Sequence, residues 1–261
     1  NMGANTIRLW AGEDVENCNG ETGRCPVKLT TNTLDVAEQN DIKVIAGFWI
    51  GQGGNFDCVN AVSVAVVNID FTDIDVRNNI KGRFVTYVST FKDHPAILMW
   101  AIGNENNLHL VNQTQKDAFY SLVNEMADLA HQVEGVDYHP VALVNGDLGF
   151  MNEYDAQLTN IDIWGANVYR GESFGTLFTE YEAISTKPFW IAEYGVDAWH
   201  ANDLANPENG NGYVDEVTQA QWAGSLWDEI VNHNDVTIGG TIMSYSDNWW
   251  QPWEWYCSNS G

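Results

Sequence analysis

The chain has 261 residues, is 44% hydrophobic and carries a formal net charge of −25, from 11 Lys and Arg against 36 Asp and Glu. So acidic a surface repels nucleic acid and other polyanions, and it leaves a neutral partner as the natural one. The length supports one large core, and single α/β barrels commonly need about 250 residues. No linker, repeat or low-complexity tract divides the chain, so residues 1–261 read as one domain.

In chain order, short apolar runs alternate with helical patterns. ANTIRLW, Ala4–Trp10, reads as a strand, and Thr31–Asn40 as a helix capped by Thr30 or Thr31. KVIAGFWI, Lys43–Ile50, is the next strand. Ile74–Phe91 places Ile80, Phe84, Val88 and Phe91 at helical spacing. Strands follow at Ile97–Gly103, Val141–Asn145, Ile161–Tyr169, Pro188–Tyr194 and Thr237–Tyr245. Helices are expected at Gln115–Val133, Phe174–Ile184 and Val217–Asn232. Near-continuous apolar strands between amphipathic helices predict a parallel sheet covered by helices. Seven such strands are one short of a closed (β/α)8 TIM barrel. A doubly wound open sheet is the alternative, but its Gly-rich phosphate turn is absent from the sequence. The chain opens on NMGANTIRLW, which reads as the middle of a domain, so the first strand is expected upstream of or missing from this chain. An unpaired edge is costly. An upstream segment or a partner chain is therefore expected to complete the barrel.

Polar residues recur at the same end of these strands: Arg8, Trp49, Asn104 and Glu105, Asn145, Asn167 and Tyr169, Glu193 and Tyr194, and finally Trp249 and Trp250. A barrel gathers its strand ends around one pocket. Glu105 and Glu193 stand out because each terminates an apolar strand. One such acid reads equally well as a helix cap. Two, among Arg, Asn, Tyr and Trp, read as a carboxyl pair able to cleave an acetal. One group protonates the leaving oxygen while the other attacks the anomeric carbon; a separation of about 5–5.5 Å gives retention of configuration. The chain holds 12 Trp, which supplies flat faces for sugar rings as well as for a core.

These segments resemble those of clan A retaining glycoside hydrolases. HPAILMWAIGNENN is similar to the fourth-strand segment ending Asn-Glu, and KPFWIAEYG to the seventh. ANTIRLW resembles the second strand, GANVYRG the sixth and GGTIMSYSDNWW the eighth. The resemblance implies Glu105 as acid/base and Glu193 as nucleophile, with Arg8 and Tyr169 supporting the nucleophile and Asn104 on the sugar hydroxyl beside the anomeric carbon. Trp250, with Trp249 close behind, is expected to form the sugar platform, and Trp49 and Asn167 to line the cleft. Within the clan, HPAILMWAIGNE and the final WW look like the family 2 barrel, whereas NVYRG with AEYGVDA is closer to β-1,3-glucanosyltransferases. LWAGED follows Arg8 where family 2 usually carries a His, a departure that turns the expectation away from a galactosidase or glucuronidase.

The expected activity is therefore that of a retaining β-glycosidase on a neutral oligo- or polysaccharide, a β-glucan foremost, by hydrolysis or transglycosylation. The alternative is a catalytically silent carbohydrate-binding or structural protein on the same barrel. No cofactor and no metal are implied. The Asp70, Asp73 and Asp75 cluster lacks the Gly and terminal Glu of a calcium loop and reads as helix capping. His94 reads as structural; His109 and His200 follow the two acidic motifs in loops, where contact with substrate is the lesser of two readings, and Asp197 after Glu193 is a weaker candidate for the cleft. Trp100 and Trp164 read as core, and Trp253 and Trp255 as cover or cleft. The even cysteine count (Cys18, Cys25, Cys58 and Cys257) and the Asn112-Gln113-Thr114 sequon point to a secreted protein with disulfides, in any of three connectivities. No apolar run approaches the roughly 18 residues of a membrane span.

Overall fold

The computed structural model describes residues 3–10, 29–50, 69–200 and 212–244. The four cysteines, Trp249, Trp250, Trp253, Trp255 and the end of the expected last strand lie outside the described residues, as does the side chain of His200.

Seven parallel strands form one sheet: β1 (Thr6–Leu9), β2 (Lys43–Phe48), β3 (Ile97–Ile102), β4 (Val141–Gly146), β5 (Ile163–Asn167), β6 (Phe189–Tyr194) and β9 (Thr237–Ile242). Their spatial order follows their sequence order, as in a singly wound barrel. Among the described residues β1 and β9 approach one another without pairing, so the barrel is nearly closed, with its gap between those two strands. A separate two-stranded ribbon, β7 (Trp199–His200) with β8 (Tyr213–Val214), follows the sixth barrel strand. The sequence pattern did not show it, because two-residue strands have no periodicity to read.

The helices are α1 (Thr31–Gln39), α2 (Ile74–Phe91), α3 (Gln113–Glu134), α4 (Met151–Tyr154), α5 (Leu177–Glu182) and α6 (Glu216–Asn232). Four begin on side chains that accept an otherwise orphaned backbone N–H: Thr30 for α1, Asp73 for α2, Asn112 for α3 and Asp215 for α6. Asp73 is thus a cap, as its sequence position implied, and Asn112, the sequon asparagine, opens α3. Among the described residues no helix is long and apolar enough to cross a membrane.

Alternation along the strands divides the core into two layers. One side of the sheet buries Val44, Phe48, Trp100, Leu143, Trp164 and Phe189 beneath the helices, and Trp100 and Trp164 are fully buried there. The other side lines the barrel lumen with Ile45, Met99, Ala101, Ala142, Val144, Ile163, Trp190 and Ala192. Three of these eight are alanines, which suits seven strands converging on a narrow space. Gly165 leaves room for the Trp190 ring, which a Cβ there would meet at 3.0 Å. Phe84 of α2 seals the outer layer, edge-on to Phe48 at 5.0 Å between centroids. Phe84→Ala is expected to cost about 3–5 kcal/mol of stability, since a fully buried ring leaves a cavity that flanking strands cannot close; urea unfolding measures it.

Candidate active site

Glu193 reaches the lumen through an irregularity in β6. Ala192 already faces inward, so strict alternation would turn Glu193 out toward the helices. Against β5, the pairs Ala166↔Ile191 and Asn167↔Glu193 leave one extra residue in β6. Against β9, Ile191↔Gly240 and Tyr194↔Ile242 leave the same extra residue. Such a bulge re-aims every side chain beyond it. Tyr194 accordingly joins the outer core, and Glu193 points into the mouth of the barrel.

Arg8 stands opposite. Its Nη1 donates to Glu193 Oε1 at 2.7 Å, to Asn167 Oδ1 at 3.2 Å and to the Ala192 carbonyl at 3.1 Å, and its Nη2 donates to Asn104 Oδ1 at 2.8 Å. The ion pair is almost fully buried, with side-chain exposures of 5% and 7%. The guanidinium also lies over the Trp190 ring, 5.4 Å from its centroid. Burial draws Arg8 down from its ordinary value and the Glu193 charge opposes this; an arginine starts so high that it stays charged. Two further donors complete Glu193. Trp10 Nε1 lies 2.5 Å from Oε1, and the Tyr169 hydroxyl 3.0 Å from Oε2. Burial, and then the Glu193 charge, push the Tyr169 phenol far up, so it remains a donor.

Glu105 follows β3 in a left-handed conformation, φ 53°, just after Gly103 at φ +67°. Neighbouring amides stabilise this turn. Asn106 Oδ1 accepts the Asn104 N–H at 3.1 Å, and a Cβ on Gly103 would lie 2.4 Å from that oxygen. Asn107 pairs with the end of β4 as a peptide would: Nδ2 donates to the Gly146 carbonyl at 3.0 Å, and Oδ1 accepts the Gly146 N–H at 2.7 Å. The turn is thereby fastened to a strand, and Glu105 Oε1 meets Asn167 Nδ2 at 3.0 Å. Asn167 also donates to Asn104 Oδ1 at 3.0 Å. An unbroken chain therefore runs from Glu105 through Asn167 and Arg8 to Glu193. Burial raises the Glu105 carboxyl above its ordinary value. The Asn167 hydrogen bond lowers it, the Glu193 charge raises it further, and Arg8 and His109 pull the other way.

The structure thus brings Arg8, Asn104, Glu105, Asn167, Tyr169 and Glu193 into one constellation. Trp49 stands beside it, stacked on Trp10 with centroids 6.2 Å apart. Trp249 and Trp250 are not among the described residues. Tyr169 lies two residues past the end of β5 rather than within the strand. Asn145 departs from expectation. It faces the helix layer, donating to the Tyr120 hydroxyl at 3.3 Å and to the Gly149 carbonyl at 2.7 Å, because its lumen-facing neighbours in β4 are Ala142 and Val144. His109 and Asp197 are exposed. Trp10 escaped the sequence reading; its place two residues after Arg8 was the available signal.

His94 is structural. Its Nδ1 accepts the Ala96 N–H at 3.2 Å, which leaves the ring proton on Nε2, facing Asp35 Oδ1 at 3.2 Å. Asp35, Glu38 and His94 are the one group of three metal-type side chains that converge among the described residues. That proton occupies the nitrogen a metal would need.

A parallel barrel with two acids at its carboxyl end, braced by an arginine and two asparagines, defines a glycoside hydrolase barrel. Residues 32–254 match the family described as "Glycosyl hydrolases family 2, TIM barrel domain". The chain belongs to glycosyl hydrolase family 2. A "Putative beta-glucuronidase" of Formosa agariphila is 23% identical over 180 residues, which are 66% of this chain and 20% of that protein. A β-glucuronidase of Bifidobacterium dentium shares the fold at TM-score 0.61 and 18% identity, over 94% of this chain and 35% of that one. One from Bacteroides uniformis does so at TM-score 0.59 and 15% identity, over 94% and 26%. The chain therefore spans a fifth of that relative's length and about a third or less of these two structures.

Two predictions follow from this geometry. A Glu105 carboxyl raised on folding favours the folded state when protonated, so its contribution is fully present at low pH and is lost as pH climbs through the raised value. Glu105→Gln keeps the Asn167 contact and removes the buried charge. It is expected to raise the melting temperature at pH 7, with the gain vanishing below the ordinary carboxylate range. Asn107→Ala strands the Gly146 N–H and carbonyl. It is expected to cost about 1–3 kcal/mol in thermal unfolding.

Proposed function

We propose that the chain is the catalytic barrel of a retaining β-glycosidase that acts on a neutral β-glycan, a β-glucan foremost. The observation that carries this reading is the unlike setting of the two acids. Glu193 accepts from Arg8, Trp10 and Tyr169, whereas burial and the Glu193 charge favour the protonated form of Glu105. A carboxylate held by donors beside a carboxyl whose burial favours its proton is the division of labour that double displacement requires. Glu193 attacks the anomeric carbon while Glu105 gives its proton to the departing oxygen. Glu105 then takes a proton from the incoming water or sugar hydroxyl, and the ester to Glu193 breaks. Water and a second sugar resolve the same intermediate, so hydrolysis and transglycosylation are both open to it. Asn104, its oxygen fixed by Arg8 and Asn167, binds the hydroxyl beside the anomeric carbon.

The net charge of −25 supports a neutral substrate and, with the even cysteine count, an extracellular setting. A β-glucuronide is the second reading, favoured by the names of the relatives. A uronate needs a cation of its own, and Arg8 is already committed to Glu193.

The test is turnover of aryl β-glucoside, β-galactoside, β-mannoside and β-glucuronide. The glucoside is expected to lead, and Glu193→Gln to lose activity by about 10⁴-fold. Glu105→Ala with azide is expected to recover turnover of the activated glucoside and to release the β-glycosyl azide. An α product would overturn retention. No turnover on any arm would leave a carbohydrate-binding barrel, and a lead for the glucuronide would replace the neutral substrate.

A further inference from the structure

We propose that Trp10 is a positioning residue for the nucleophile: with Arg8 it holds Oε1 of Glu193, so that Oε2 is the atom that bonds to the sugar. The inference rests on the retaining mechanism above. The two oxygens of Glu193 are not equivalent. Oε1 accepts from Arg8 Nη1 at 2.7 Å and from the Trp10 indole at 2.5 Å, whereas Oε2 accepts only the Tyr169 hydroxyl, at 3.0 Å, among the contacts of the described residues. Two donors on one oxygen, one of them a cation, draw electron density to Oε1 and fix it in place. The attacking lone pair therefore belongs to Oε2.

The consequence falls mainly on the second half of the reaction. In the first half, Oε2 bonds to the anomeric carbon, the bond to the leaving oxygen breaks, and Glu105 supplies the proton. Glu193 is then an ester whose carbonyl oxygen is Oε1, still facing two donors. In the second half, water bonds to the anomeric carbon and gives its proton to Glu105. The bond to Oε2 breaks, and the electron pair returns to the carboxylate. Donors preorganised on Oε1 stabilise the charge as it returns, as an oxyanion hole does. Without the indole N–H, the carboxylate is a poorer leaving group.

Trp10 is placed for this by its neighbours. The ring is 41% exposed, yet its N–H turns inward, and its face stacks on Trp49 with centroids 6.2 Å apart. Beneath it, the backbone of Leu9 and Trp10 lies close over β2. A Cβ on Gly47 would sit 2.0 Å from the Leu9 carbonyl oxygen and 2.5 Å from that of Trp10. Only glycine permits that approach, so Gly47 fixes the height at which the indole meets Glu193.

The experiment traps the enzyme with 2,4-dinitrophenyl 2-deoxy-2-fluoro-β-D-glucopyranoside and follows reactivation after the excess is removed. The wild-type protein is expected to be labelled on Glu193 and to recover. Trp10→Phe is expected to be labelled too, but to recover about ten- to a hundredfold more slowly, the worth of one hydrogen bond to a charged group. On 2,4-dinitrophenyl β-glucoside its kcat and KM are expected to fall together, with kcat/KM changed less, because the ester accumulates. Gly47→Ala retains the indole but displaces it, and is expected to show the same split in weaker form. Equal reactivation rates would overturn the role of Trp10 while leaving the mechanism intact. So would a kcat/KM that falls as far as kcat with KM unchanged. Failure to label the wild-type protein would remove the retaining mechanism on glucosides, and this inference with it.

Discussion

A guanidinium that has left water needs partners in place of its hydration, and the two terminal nitrogens of Arg8 find them in side chains and one carbonyl from strands that do not adjoin its own, while Nε has none among the described residues. Its donors reach the end of β3 at Asn104, the end of β5 at Asn167 and the bulged stretch of β6 at Ala192 and Glu193. Burying a charge is tolerable only when such partners are already aligned. The planar fork of arginine sets those partners at fixed angles, which a lysine would not. Both asparagine amides are oriented by this demand, since their oxygens must face the cation. The nitrogen of Asn167 is then turned to Glu105 and to the Asn104 oxygen. The cation thus orders a site in which it transfers no proton itself. It also ties β1 to β6 through the lumen, across a barrel in which β1 lacks a hydrogen-bonded neighbour on one side among the described residues.

The lower lumen explains why the upper lumen can be polar. Ala101, Ala142 and Ala192 keep the strands close, and Trp190 fills the space that Gly165 leaves. With that plug closely packed, the charged network above it rests on an apolar floor. The Trp190 ring is shared between the two regimes, apolar below and facing the Arg8 cation above. Arg8, Asn167 and Glu193 lie within strands and inherit the stiffness of the sheet, whereas Asn104, Glu105 and Tyr169 lie just past strand ends and are held by their hydrogen bonds.

Much of this was legible in the sequence, for reasons that can be named. The five inner strands, β2 to β6, stood out because each is buried on two sides and so is almost wholly apolar, while β1 and β9 are only partly buried. Glu105 and Glu193 stood out because each interrupts such a run. Arg8, Asn104 and Asn167 were readable as polar residues at the same end of their strands. The errors have a common origin in side-chain direction. Asn145 occupies a strand end like the others, but its parity turns it to Tyr120 and the helices. Asn106 and Asn107 carry no periodic signal that would name their partners, and their amides cap backbone groups around the turn at Glu105. Trp10 was read as the apolar end of a strand, because the direction of an indole N–H has no signature in composition or spacing.

The bulge in β6 gives the barrel something akin to a reading frame. Along a strand, inside and outside alternate like two letters, and one supernumerary residue shifts the frame for all that follow. Upstream of the shift, β6 spells a packed wall; downstream, it spells a carboxylate in the mouth and a tyrosine in the core. Loss of Ala192 would restore strict alternation with Glu193 still facing the lumen and Tyr194 still facing the helices, so the supernumerary residue sets how far up the wall the acid stands. Straightening the strand at constant length would do the opposite: every residue would remain, and the acid would turn to the helix layer. The site therefore depends on the bulge being kept as much as on the carboxylate itself, and no apolar pattern in the sequence records that dependence.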